Sequence, residues 1–88
     1  MHEFSLVTHL IRKVSSLALE QGVTRVSGLT VRLGALSHIS SDHFREHFNL
    51  ASQGTIAEGA QLTINIMHDE NDPKSQEVVF ESIEVEGK

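Results

Sequence analysis

The chain has 88 residues, no cysteine and a formal net charge of -5. This length allows one small domain, and the lack of cysteine excludes disulfides and thiolate metal sites. The negative charge argues against nucleic acid as a partner, because phosphates require clustered lysine and arginine. No apolar run approaches the ~20 residues of a membrane span, and the polar start differs from a signal peptide, so we expect a cytoplasmic protein.

The first predicted element is a helix over residues 5–21. Its apolar residues repeat at three- and four-residue spacing and form one stripe, typical of a helix that packs one face on a core. The stripe consists of Leu6, Leu10, Val14, Leu17 and Ala18. Ser5 is the expected N-cap of this helix, and Gly22 the expected C-cap.

Four more elements are predicted in chain order. Alternating apolar residues predict a strand over 24–33, and Phe44 and Phe48 share one side of a helix over about 41–52. Either Ser40 or Ser41 caps that helix. Two further strands follow, one after Gly59 and one over about 78–86.

This order of elements predicts an α+β fold with two helices packed on one face of a three-stranded β-sheet. Residues 68–76 are polar apart from Pro73 and read as a loop between the last two strands. We expect those two strands to pair directly.

The N-terminus carries a candidate metal site. The Met1 amine, the His2 amide nitrogen and the His2 imidazole close two fused chelate rings on one ion. Planar nitrogen donors of this kind suit Ni(II) or Cu(II) better than Zn(II). The Glu3 amide, or a side chain from elsewhere in the chain, is a candidate fourth donor. On its own, a histidine at position two is a weak motif that occurs by chance in many proteins.

Several segments resemble, in order, the HypA/HybF family of nickel chaperones for [NiFe]-hydrogenase maturation. They are residues 1–6 (MHEFSL), 33–38 (LGALSH), 44–48 (FREHF), 54–60 (GTIAEGA), 62–64 (LTI) and 83–85 (IEV). The resemblance implies that residues 1–88 form a single nickel-binding domain, with His2 as the key ligand. It also implies that nickel passes with a partner GTPase, HypB, to the hydrogenase large subunit.

The chain departs from this family in two places. The family has a zinc module with two Cys-x-x-Cys pairs between its last two strands, whereas here only the polar loop of residues 68–77 stands there. We therefore expect a domain without the zinc module. The family also often has an acidic residue near Ser40 and Ser41, and serine replaces it as a helix cap better than as a metal ligand.

The other histidines offer weaker candidates. His38 precedes the second helix and is a candidate further nickel ligand, although a turn residue is the more common reading of a lone histidine. His43 and His47 match the His-x-x-Glu-His pattern of inverted zinc peptidases, but 88 residues leave little room for a third ligand and a substrate cleft. His68 lies in the acidic loop, where a solvated charge run is the simplest interpretation.

The sequence therefore predicts a nickel carrier and not an enzyme, because it shows no nucleophile–base pair and no phosphate-binding loop. The alternative is a zinc-free HypA-like paralogue that acts as a protein-interaction adaptor without delivering metal. Such an adaptor would use the edge of the final strand or the acidic C-terminal part of the chain.

Overall fold

The computed structural model describes the backbone of residues 3–86 and the side chains of residues 5–86. Two helices and three strands form the α+β fold that the element order predicts. The elements are α1 (Glu3–Glu20), β1 (Arg25–Leu33), α2 (Ser41–Ala51), β2 (Gln61–Ile66) and β3 (Val78–Glu86). None of the described helices combines the length and the apolar character that crossing a membrane requires.

Helix α1 begins at Glu3, so the prediction that Ser5 is its N-cap was wrong. Apolar periodicity locates the buried face of a helix but not its first turn. The predicted C-cap is confirmed, because Gly22 has a φ of +71° and donates its N–H to the Leu19 carbonyl at 3.1 Å. The Val23 N–H donates to the Ala18 carbonyl at 3.1 Å, which completes a Schellman motif.

Helix α2 is anchored at both its start and its apolar face. Ser40 is the N-cap, since its hydroxyl accepts a hydrogen bond of 3.1 Å from the His43 N–H. Phe44 and Phe48 are buried, as their shared helical face predicts. A serine thus performs the capping task at the position where the acidic residue was expected in relatives.

Replacing Ser40 with alanine is expected to lower the free energy of unfolding by about 1 kcal/mol, because the His43 N–H loses its acceptor. Urea denaturation measures this change. Ser16→Ala is the matched control, since Ser16 is exposed within α1, where alanine stabilises by a few tenths of a kcal/mol. An equal effect of both substitutions would contradict the capping role.

The strand order in the sheet is β2-β1-β3, with β1 parallel to β2 and antiparallel to β3. The expected direct pairing of the last two strands was therefore wrong. Strand β1 takes the central place, where it pairs along both edges and is the most buried of the three strands. Its buried apolar residues are Val26, Leu29, Val31 and Leu33.

The loop between β2 and β3 crosses the C-terminal end of β1. At its start, the Met67 N–H donates to the Leu33 carbonyl at 2.9 Å. At its end, the Gly34 N–H donates to the Glu77 carbonyl, also at 2.9 Å. The short polar loop thus closes the domain by bridging the two outer strands over the central one.

The helices cover one face of the sheet, and the opposite face is polar. The core joins α1 and α2 to β1 and is built from Val7, Leu10, Ile11, Val14, Ala18, Val26, Leu29, Val31, Leu33, Phe44, Phe48, Ala57 and Leu62. On the polar face, the Glu81 carboxylate accepts hydrogen bonds from Arg32 at 3.1 Å and Asn65 at 3.0 Å. The carboxylate therefore spans from β3 across β1 to β2.

Candidate metal-binding site

An open cleft of about 530 Å3 lies where both helices begin. It is lined by Leu6 from the first turn of α1, by residues 37–39 before α2, and by residues 76–78 at the start of β3. The fold therefore brings His38 and the start of α1 to the same cleft, and the role of His38 as a metal ligand stays a prediction.

Gly34 allows the two loops around this cleft to approach each other. Its N–H pairs with Glu77, and the Leu36 N–H donates to the buried Ser75 carbonyl at 2.6 Å. A Cβ on residue 34 would lie 2.7 Å from the Lys74 carbonyl oxygen and closer still to the Ser75 carbonyl group. Only glycine fits this contact, because the obstructing atoms belong to the backbone.

His38 has the only left-handed backbone among the non-glycine residues that the structure describes, with a φ of +59°. Its side chain is exposed at the cleft. Histidine tolerates this conformation better than most residues, but the conformation still costs free energy. Backbone strain of this kind is concentrated at binding sites, where it orients a side chain.

The strain at residue 38 predicts that His38→Gly is more stable than His38→Ala by about 1 kcal/mol, because alanine retains the left-handed penalty and glycine does not. Urea unfolding midpoints measure the difference. The same two substitutions at exposed His9 within α1 are the control, and there alanine should be the more stable by about 1 kcal/mol. The same ranking at both positions would contradict the strain at His38.

The predicted N-terminal chelate falls at the boundary of the described structure. Met1, His2 and the side chain of Glu3 lie outside the described residues, so their role as ligands stays a prediction. Helix α1 begins at Glu3, and the first turn of this helix lines the cleft. Within residues 5–86, no three histidine, aspartate or glutamate side chains are grouped so that they could hold a metal ion.

His43, His47 and His68 belong to no three-ligand metal site in the described part of the chain. His43 is exposed and His47 half-buried, one turn apart on α2 as predicted. In the loop after β2, Asp69 accepts the Asn71 N–H at 2.9 Å and Asp72 accepts the Lys74 N–H at 2.8 Å. These carboxylates stabilise turns next to the exposed His68 side chain.

Sequence reasoning missed two features of the cleft. It treated Gly34 only as the end of a strand, and it left Gln76 and Glu77 in a polar segment without a role. Residues 34–36 pair with residues 75–77 only because of the order of the strands in the sheet. The alternation of apolar and polar residues does not indicate that order. The glycine in the short Leu-Gly-Ala turn was the one local sign that another backbone segment lies close to this turn.

Comparison with known proteins identifies the family. A family model described as "Hydrogenase/urease nickel incorporation, metallochaperone, hypA" matches residues 1–83. The hydrogenase maturation factor HypA of Methylocella silvestris is 40% identical over 67 residues, which cover 76% of this chain and 59% of that protein. The HypA of Archaeoglobus fulgidus is 41% identical over 66 residues, 75% of this chain and 60% of that protein.

One more curated relative and one solved structure are also similar to this chain. The hydrogenase maturation factor HybF of Salmonella typhimurium is 38% identical over 65 residues, covering 74% of this chain and 58% of its own length. The chain thus spans about three fifths of the curated relatives that it matches. The solution structure of the Ni metallochaperone HypA from Helicobacter pylori shares the fold, with a TM-score of 0.84, 18% identity and full coverage of both chains. This chain belongs to the HypA family.

Proposed function

We propose that this chain binds Ni(II) as cargo at its N-terminus and delivers it, in the cytoplasm, for the maturation of a nickel enzyme such as a [NiFe]-hydrogenase. The observation that carries the proposal is the match to a nickel-incorporation family from residue 1 onward, which includes the Met1-His2-Glu3 start. The cleft at the start of α1 supports it, because the His38 side chain lines this cleft.

Three donors come from the first two residues. The Met1 amine, the deprotonated His2 amide and the His2 imidazole form two fused rings around the ion. Such nitrogen donors favour the square-planar geometry that Ni(II) accepts. The fourth donor is the Glu3 amide or the His38 imidazole. His38 fits this role because its exposed side chain is held at the cleft by a strained backbone.

The position of the site suits transfer rather than catalysis. The first buried core residue that the structure describes is Val7, so ligand exchange at residues 1 and 2 leaves the core packing unchanged. Chain termini can rearrange at little cost to the rest of a domain. A carrier needs such exchange, whereas a catalyst needs a fixed set of groups around a substrate.

We further propose that residues 1–88 act as one nickel-binding domain, with the loop of residues 68–77 in place of a zinc module. The hydrogen bonds of Met67 and Glu77 to the end of β1 support this reading, since they close the loop on the domain itself. A partner GTPase of the HypB type and the hydrogenase large subunit are the proposed partners in delivery.

Complementation tests the delivery function. The chain is expressed in a bacterium whose own HypA-family gene has been deleted, and hydrogenase activity is measured at limiting nickel. We expect the native chain to restore activity and the His2→Ala variant to fail at equal protein levels. Equal rescue by both chains would contradict nickel delivery and support the adaptor alternative.

A further inference from the structure

Strand β3 forms an edge of the sheet with an apolar groove beside it. It pairs with β1 along one side, and no described strand pairs with its other side over the nine residues Val78–Glu86. A groove of about 490 Å3 separates β3 from the C-terminal half of α1. Its lining is mainly apolar and consists of Leu17, Gln21, Val23, Phe80, Ile83 and Val85.

This groove is only partly covered by the rest of the domain. Val85 is 42% exposed although it faces the same side of the sheet as the core residue Val26, its partner in the register. Phe80 and Ile83 are half-buried. They share the helix side of the sheet because the register shifts between them, leaving Glu81 as an extra residue.

The polar side of the same strand carries exposed negative charge. Glu84 lies opposite Gly28 and Glu86 opposite Arg25, and both glutamate side chains are exposed. Neither forms an ion pair with any side chain between residues 5 and 86, whereas Glu81 is bound by Arg32. The C-terminal half of β3 therefore presents an apolar side and an acidic side next to an open strand edge.

We propose that this edge binds an extended segment of a partner protein in which apolar residues alternate with lysine or arginine. The segment adds a fourth strand beside β3, with main-chain hydrogen bonds to its free edge. Because side chains alternate along a strand, the apolar ones enter the groove and the basic ones meet Glu84 and Glu86. This inference is independent of the proposed nickel site.

Charge excludes a second copy of the chain as the favoured occupant. An antiparallel alignment that matches the apolar residues, Val78 with Val85 and Phe80 with Ile83, would place Glu77 directly opposite Glu86. A parallel alignment would bring Glu84 and Glu86 next to their own counterparts. Like charges directly opposite each other destabilise a strand pair, and each chain already carries a net charge of -5.

A lysine near Phe80 determines which end of β3 the basic residues of the bound segment meet. The Lys13 ammonium lies 5.8 Å from the centre of the Phe80 ring, so a positive charge already lies beside the groove at Phe80. The basic residues of the bound segment therefore lie toward the C-terminal end of β3, beside Glu84 and Glu86.

The experiment uses the full chain and short capped peptides in which valine alternates with lysine. One control peptide carries glutamate in place of lysine, and a second has proline in place of its central valine, which removes a strand hydrogen bond. Binding is located by amide NMR shifts and amide hydrogen exchange, and the affinities are measured by titration at low salt. We expect the lysine peptide to bind and to shift and protect the amides of β3.

Charge reversal separates this site from non-specific attraction. The double variant Glu84→Lys/Glu86→Lys is expected to weaken binding of the lysine peptide about tenfold and to strengthen binding of the glutamate peptide. Glu46→Lys/Glu70→Lys makes the same change in net charge at exposed positions outside β3 and should leave the affinities nearly unchanged. Equal binding of the lysine and glutamate peptides, shifts confined to another surface, or dimerisation through β3 would each overturn the proposal.

Discussion

Replacing His2 with alanine is expected to lower the affinity for Ni(II) by more than about a hundredfold. Changes to groups that only support a metal ligand typically cost 10–100-fold, so loss of the ligand itself should cost more. The imidazole also closes the second chelate ring, and without it the amide nitrogen is a poor donor near neutral pH. Isothermal titration with Ni(II) measures the change directly.

Two matched substitutions show whether the effect belongs to His2. His9 is exposed on α1 and His43 is exposed on α2, and neither lines the cleft at the start of α1. Alanine at either position should leave the nickel affinity within about twofold of the native value. A large loss on His43→Ala, with little change on His2→Ala, would move the metal to the histidine pair of α2.

Replacing Gly34 with alanine is expected to destabilise the fold by about 3 kcal/mol, at the upper end of the usual cost of overpacking. The new Cβ would collide with the backbone of Lys74 and Ser75, which must shift. For a domain of this size, such a loss lowers the melting temperature by roughly 15 °C. Thermal unfolding followed by circular dichroism measures this change.

Gly28→Ala is the matched control for this prediction. A Cβ at Gly28 would also meet a close atom, but that atom is the carboxylate oxygen at the end of the exposed Glu84 side chain. A flexible side chain can move away, so the expected change is within about 1 kcal/mol. Equal losses at Gly28 and Gly34 would show that the close approach of the two loops does not determine stability.

The sequence was sufficient for the elements and for the faces that they bury. The three- and four-residue spacing around Val14 on α1 and the alternation around Val31 on β1 locate the buried faces. Leu6 and Leu17 of the predicted stripe are only half-buried, and the buried Val7 and Ile11 lie outside it. Gly22 was also correctly predicted as a helix cap, and Ser40 was one of the two serines expected to cap α2, since each acts through hydrogen bonds within a few residues. Local chemistry of this kind is legible in sequence because it needs no knowledge of tertiary contacts.

The order of the strands in the sheet could not be predicted from the alternation of apolar and polar residues. Alternation shows which side of a strand is buried, but it does not say which strand is central. Apolar content gave no clue either, because β3 is at least as apolar as β1. The prediction therefore rested on the expectation that the polar loop joins neighbouring strands. The loop instead crosses the end of β1 and is fastened there by Met67 and Glu77.

Only part of the candidate site could be predicted from the sequence, for the same reason. His38 was identified from its place before α2, and the structure confirms that it reaches the cleft beside the first turn of α1. Its left-handed backbone and the tight contact of Gly34 with Ser75 both depend on how two distant loops meet. No spacing rule within either loop reports such a meeting.

The most direct test is Ni(II) titration of the chain with a free Met1 amine, beside the same chain with that amine acetylated. Acetylation leaves every side chain in place but removes the amine that closes the first chelate ring. The N-terminal chelate predicts about one nickel bound by the free chain and a loss of that site in the acetylated chain. Equal binding by both chains would contradict an N-terminal nickel site.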